Sequence, residues 1–116
     1  MRKIVFVSFF LIFFSSCFKN GVTFEVKNQS GIQIDSVHIS NGYSSVVESN
    51  IGNGKSYSIF LPFDKKIKIR GDGSYQIRIY NKNSNREMNF GYFSNGIPLA
   101  EEYEILIEKD TIIFHE

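Results

Sequence analysis

Tyr103-Glu104-Ile105-Leu106-Ile107-Glu108-Lys109-Asp110-Thr111-Ile112-Ile113-Phe114-His115 decides the fold class. Two runs of β-branched and aromatic residues flank a polar tip, a composition that suits a pleated, half-buried surface and not a helix. Folding them about Lys109-Asp110 pairs Ile107 with Ile112 and Ile105 with Phe114, which leaves one face of the hairpin apolar. Lys-Asp is a poor match for the positive φ values of a type I′ turn, so a longer or irregular connection is expected.

Similar runs recur toward the N-terminus. Thr23 to Lys27 alternates strictly, with Phe24 and Val26 on one face, as a half-buried strand does. Asn28-Gln29-Ser30-Gly31 is turn chemistry. Ile32 and Ile34 share one parity and Val37 and Ile39 the other, so burying all four requires a β-bulge near Asp35-Ser36. Ser40-Asn41-Gly42 turns the chain, Val46-Val47 marks a short strand, and Asn50 to Gly54 is a flexible loop. Lys55 to Leu61 puts Tyr57, Ile59 and Leu61 on one face, and Pro62 ends it by withholding a donor. Lys66 to Arg70 and Tyr75 to Tyr80 flank Gly71 to Ser74 as a second hairpin, with Ile69 facing Ile77 and Ile67 facing Ile79. In that register Lys68 lies opposite Arg78 and Arg70 opposite Gln76, leaving a basic outer face. Asn81 to Asn85 is a polar loop, Glu87 to Ser94 a strand, and Asn95 to Pro98 a turn. About seven to eight short strands without helical periodicity predict an all-β, antiparallel β-sandwich. A closed barrel is the competing solution.

Residues 1–17, MRKIVFVSFFLIFFSSC, are of a different kind. Arg2 and Lys3 precede an apolar run from Ile4 to Phe14, and Ser15 and Ser16 supply small residues before Cys17. A helix crossing the bilayer needs roughly 20 apolar residues, which this run does not reach. The ending Phe14-Ser15-Ser16-Cys17 resembles the signal of small bacterial lipoproteins, with Phe14 standing where that family usually has Leu. The resemblance implies a signal peptide over 1–16, removal of that peptide, and acylation of Cys17 as the first mature residue. It also implies a tether over 17–21, a sandwich over 22–116, and a membrane-anchored protein of the cell envelope, periplasmic or at the outer-membrane face. Cys17 is the only cysteine, so no intrachain disulfide can form in an oxidising compartment. Two or more acyl chains would hold the protein stably, and the short tether would keep the domain within about 20 Å of the bilayer.

Without the signal, 100 residues remain, enough for one core. The charge then falls from 13 basic against 12 acidic side chains to 11 against 12, which provides no field for nucleic acid. One Ala, no Trp, and abundant Ile, Phe, Asn, Lys and Ser resemble envelope lipoproteins of AT-rich Bacteroidota.

Four groups of residues are candidates for chemistry. Asp35 and His38 are three apart and require the bulge to meet. His38 and His115, the two histidines, supply too few nitrogen and sulfur ligands for zinc if Cys17 is acylated. Lys65, Lys66, Lys68, Arg70 and Arg78 form a basic face suited to anionic headgroups or a glycan, or simply to keeping a sheet soluble. Phe90 to Gly96, with Tyr92, Phe93 and Asn95, combines aromatic rings with flexible neighbours in the manner of a sugar- or peptide-binding platform. In this reading Phe90 and Tyr92 share the core face and Phe93 projects. No nucleophile elbow, P-loop, zinc-protease or C-x-x-C motif is present. The expectation is a non-catalytic binding or scaffold subunit without a cofactor, whose contact loops are Asn50 to Gly54 and Phe93 to Pro98. The alternatives are carbohydrate or peptide recognition and a small envelope hydrolase or inhibitor.

Overall fold

Val22, Phe24 and Val26 alternate with less buried neighbours along β1 (Gly21–Gln29), and every one of the three is fully buried. The computed structural model describes residues 20–63, 67–82 and 84–116. The signal segment, Cys17, Lys65 and Lys66 lie outside the described residues. β1 is followed by β2 (Ile34–Ser40), β3 (Ser45–Ile51), β4 (Ser56–Pro62), β5 (Asp72–Asn81), β6 (Ser84–Ser94), β7 (Ile97–Pro98), β8 (Glu102–Glu108) and β9 (Ile112–His115). No helix occurs among the described residues.

The strands form two packed sheets, ordered β4-β1-β8-β9 and β3-β2-β5-β6-β7. The chain is therefore an all-β sandwich. Ile107 pairs with Ile112 and Ile105 with Phe114, as the sequence of the last hairpin predicts. Its turn is closed by Glu108 N–H donating to the Thr111 carbonyl at 2.9 Å, and neither Lys109 nor Asp110 takes a positive φ. One feature departs from an antiparallel arrangement: β1 and β8 run parallel, with Phe24 beside Tyr103 and Val26 beside Ile105. Parallel neighbours need a long connection, and here the second sheet itself supplies it.

The inner faces meet in one core. Phe24 sits at its centre, with ring centroids 5.4 Å from Tyr75, 5.6 Å from Phe90 and 5.8 Å from Tyr103. Such ring pairs add about 0.5–1.5 kcal/mol each beyond area burial. Ile39, Ile77 and Ile79 from one sheet and Ile59, Leu61, Ile105 and Ile107 from the other complete the filling.

Three sequence expectations change. The hairpin joining 66–70 to 75–80 does not form; residues 67–71 carry no strand, and Ile67 is 38% exposed while Ile69 is buried. β5 instead pairs on one side with β2, Ile77 against Ile39, and on the other with β6. Both partners are longer strands, of 7 and 11 residues, and neither sets Lys68 against Arg78, a like-charge pair that opposes strand pairing. Secondly, the parity break at Asp35 is present without a register shift. Ile34 pairs with Ile51 and Ser36 with Ser49, so both strands switch faces together, and Asn50 adopts φ 57° to do so. Ile34, Val37, Ile39 and Ile51 are thereby buried, whereas Ile32 is 55% exposed.

Thirdly, the bulge lies elsewhere. Between Gly73↔Phe93 and Tyr75↔Phe90 the register shifts, and β6 takes up an extra residue at Gly91-Tyr92. Gly91 has φ 68°. The bulge places Phe90 and Phe93, three apart, on the inner face and sends Tyr92 outward, 40% exposed.

The sandwich has two unlike ends. At the entry end β1 begins, β4 finishes, and the loops 41–44, 67–71 and 95–101 gather; Phe63 N–H donates to Asn20 O at 3.0 Å and Thr23 N–H to Glu101 O at 3.0 Å. At the distal end, buried Asn28 ties two loops together. Its Nδ2 donates to the Ile32 and Ile51 carbonyls at 2.8 and 3.0 Å, and its Oδ1 accepts from Ser30 N–H and Oγ at 3.0 and 2.6 Å.

Candidate functional site

The entry end carries a depression of about 440 Å³ whose wall joins two stretches singled out in the sequence. Ile67, Lys68 and Arg70 form one side, Asn95, Gly96 and Ile97 the other, and Asn20 lies at the rim. Backbone and side chain lock the two sides together. Asn95 N–H donates to Gly71 O at 2.9 Å, and Gly71 N–H donates to Asn95 Oδ1 at 2.8 Å. Asn95 reaches this position with φ 51°, which its short side chain tolerates. Gly96 sits beside Ile69, which joins the hydrophobic core as the one buried residue of an otherwise exposed loop.

The candidate residues are distributed as follows. Phe93 is 2% exposed, its ring 5.3 Å from Phe63 and 5.5 Å from Tyr75 by centroid. It is a core residue and cannot meet a ligand, because the bulge turns it inward and takes Tyr92 out in its place. Tyr92 projects beside Asp72, and hydrogen bonding to that carboxylate, with some burial, raises the phenol pKa. Asp72 also accepts from Ser94 Oγ at 3.0 Å. Lys68 and Arg70 remain together at the depression, but Arg78 does not join them. It lies on the outer face of the five-stranded sheet, opposite Glu87 and His38, with Nε 3.1 Å from Glu87 Oε2. Gln76 Nε2 donates to Glu87 Oε1 at 2.7 Å. The single basic face expected from the second hairpin is therefore replaced by two separate sets.

Asp35 and His38 line different depressions. His38 packs edge-on against Tyr80 at 4.9 Å and lies 3.2 Å from Ser36 Oγ, in a hollow shared with Ser40 and Arg78. Asp35 lines a distal hollow of about 480 Å³ with Ile32, Gln33, Asn81 and Lys82. Among the described residues no three His, Cys, Asp or Glu side chains cluster as a metal site requires. Stretches 50–54 and 93–98, both expected to make contact, lie at opposite ends of the sandwich.

Sequence reading missed the exposed apolar side chains of the entry end: Tyr43, Ile97 and Leu99 are 49%, 70% and 69% exposed. The available signal was the isolated apolar residue inside turn chemistry, as in Asn95-Gly96-Ile97-Pro98-Leu99. No protein-family model matches the sequence, and neither a curated protein nor a solved structure is significantly similar to it.

Proposed function

We propose that this protein is a lipid-anchored binding or scaffold subunit of a bacterial envelope, acting without catalysis. The observation that carries the reading is the spacing at the N-terminus. The first strand begins at Gly21, four residues after the single cysteine, and that cysteine follows a charged start, an apolar run and two serines. Acyl chains on Cys17 would hold the entry end at the bilayer and turn the distal end, with the Ile32 loop, Gly52 to Lys55 and Lys82, away from it. Partner recognition is assigned to that distal end and to the outer face bearing His38, Arg78 and Glu87. Asn28 and Asn53 support this role by stiffening the distal loops, Gly31 N–H donating to Asn53 Oδ1 at 2.9 Å.

The test is intact mass and membrane fractionation of the chain expressed in a bacterial host, beside Cys17→Ser. The expected result is a species that starts at Cys17, carries acyl mass and sediments with membranes, while the variant does neither. A chain of unmodified mass that retains Met1 overturns the anchor.

A further inference from the structure

Four large apolar side chains stand exposed in the described entry-end loops and the two-residue β7, Tyr43, Ile67, Ile97 and Leu99, whereas in the described distal loops Ile32 stands alone. The asymmetry is built rigidly. Leu99 N–H donates to Tyr92 O at 3.2 Å, Ser44 Oγ donates to Pro62 O at 3.3 Å, and the Asn95–Gly71 pair fixes Ile97 beside Ile67. Loops held this firmly cannot fold their apolar tips back against the sandwich.

What covers them follows from where the chain enters. Cys17 and Asn20 are separated by three peptide steps, at most about 11 Å of extended chain. The distal end is a further nine-residue strand away, about 30 Å. A lipid surface holding Cys17 thus reaches the entry end and not the other. The stretches 64–72 and 95–102 carry four basic side chains, Lys65, Lys66, Lys68 and Arg70, and four acidic ones, Asp64, Asp72, Glu101 and Glu102, so their charges cancel. Attraction to anionic headgroups is therefore weak, and burial of apolar tips is the driving force.

The geometry points to direct seating of the entry-end loops in the interfacial layer of the bilayer, with Ile97 and Leu99 deepest and Lys68 and Arg70 extending their charged ends to the headgroups. This rests on the lipid anchor proposed above. Seating fixes the orientation of the domain, which a flexible tether alone would leave free.

The chain contains no Trp, so Ile97→Trp and Ile32→Trp each place one indole at an opposite end, at exposed sites where the larger ring has room. Full-length acylated protein is reconstituted into phosphatidylcholine vesicles with and without mid-chain brominated lipid, and intact mass is read on the same samples. Ile97→Trp is expected to lose emission in brominated vesicles and Ile32→Trp to keep it, with no change when phosphatidylglycerol replaces part of the phosphatidylcholine. Acylated protein whose Ile97→Trp emission ignores bromine overturns the seating and leaves the anchor standing; blue-shifted emission before lipid is added would then assign the patch to another part of the chain or a second copy. Equal loss at both ends also overturns it, because the domain would then lie on its side. Absence of acyl mass overturns the anchor reading and the seating with it.

Discussion

Gly91 meets two requirements that no other residue satisfies together. Its φ of 68° lies where side chains are disfavoured, and a Cβ there would stand 2.7 Å from the Tyr75 ring and 2.9 Å from the Tyr103 hydroxyl. Gly91→Ala is expected to lower stability by about 3 kcal/mol, combining backbone strain with overpacking. Urea denaturation followed by circular dichroism checks this, and a loss below about 1 kcal/mol would mean that the bulge is not held as described. Tyr75 works in the opposite direction. It is fully buried, and among the described residues its hydroxyl has no hydrogen-bond partner. Tyr75→Phe removes an unsatisfied buried group and is expected to raise stability by about 1 kcal/mol. Burial, and then the neighbouring Tyr103, also raise the Tyr75 phenol pKa above its ordinary 10.0. The unfolded chain therefore gives up this proton at a lower pH than the folded chain does. Stability contributed by the neutral phenol is complete below about pH 10 and declines as pH rises above it. Melting temperature measured from about pH 9 to 12 should fall less steeply in Tyr75→Phe than in the parent; parallel curves would refute the assignment.

At the scale of elements, legibility followed the strictness of alternation. The buried face of β1 and the register of the β8–β9 hairpin were readable, though not the strand ends, because period-two patterns have one register that buries every apolar side chain. The stretch 67–71 also alternates, Ile67, Lys68, Ile69, Arg70, yet forms no strand. Alternation shows which residues would share a face, not which strand lies alongside, and β5 had two better partners. The β6 bulge was illegible for a related reason: Gly91 reads as a flexible point, and only the pairing of Gly73 with Phe93 reveals that the chain switches faces there. That switch exchanged the roles assigned to Tyr92 and Phe93, so the error in the candidate site began as an error of register. Asn28, taken as a turn residue, is in fact the last buried residue of its strand. Asn28→Ala takes the side-chain donor from the Ile51 carbonyl and the acceptor from Ser30 N–H, while Ser30 Oγ still donates to the Ile32 carbonyl at 3.1 Å, and a loss of about 2 kcal/mol is expected at about 1 kcal/mol for each group stranded. Hydrogen exchange should accelerate at 30–33 and 51–54 before the central strands. Uniform acceleration throughout would deny Asn28 its local role.

On the scale of the whole molecule, the parallel pairing of β1 with β8 sets the first strand beside the last but one, and β4 crosses from between β3 and β5 to join them, so neither sheet is completed by a continuous part of the chain. The four-stranded sheet takes β1 and β4 from the first half and β8 and β9 from the end. The Phe24 ring reaches across to Tyr75 and Phe90 of the other sheet, so the two sheets share one core and not two. Such a domain should unfold in a single cooperative step. Ile77→Ala in the five-stranded sheet and Ile105→Ala in the four-stranded sheet both empty fully buried positions, and each should cost about 3 kcal/mol. Each should do so by lowering the same transition, with the urea m-value unchanged. Far-ultraviolet and near-ultraviolet circular dichroism must then report coincident curves for the parent and both variants. If Ile105→Ala melted the four-stranded sheet while aromatic signals from Tyr75 and its neighbours persisted, the sheets would be separable. The rigid link between the entry end and the distal end, on which a fixed presentation of the outer loops depends, would then be lost.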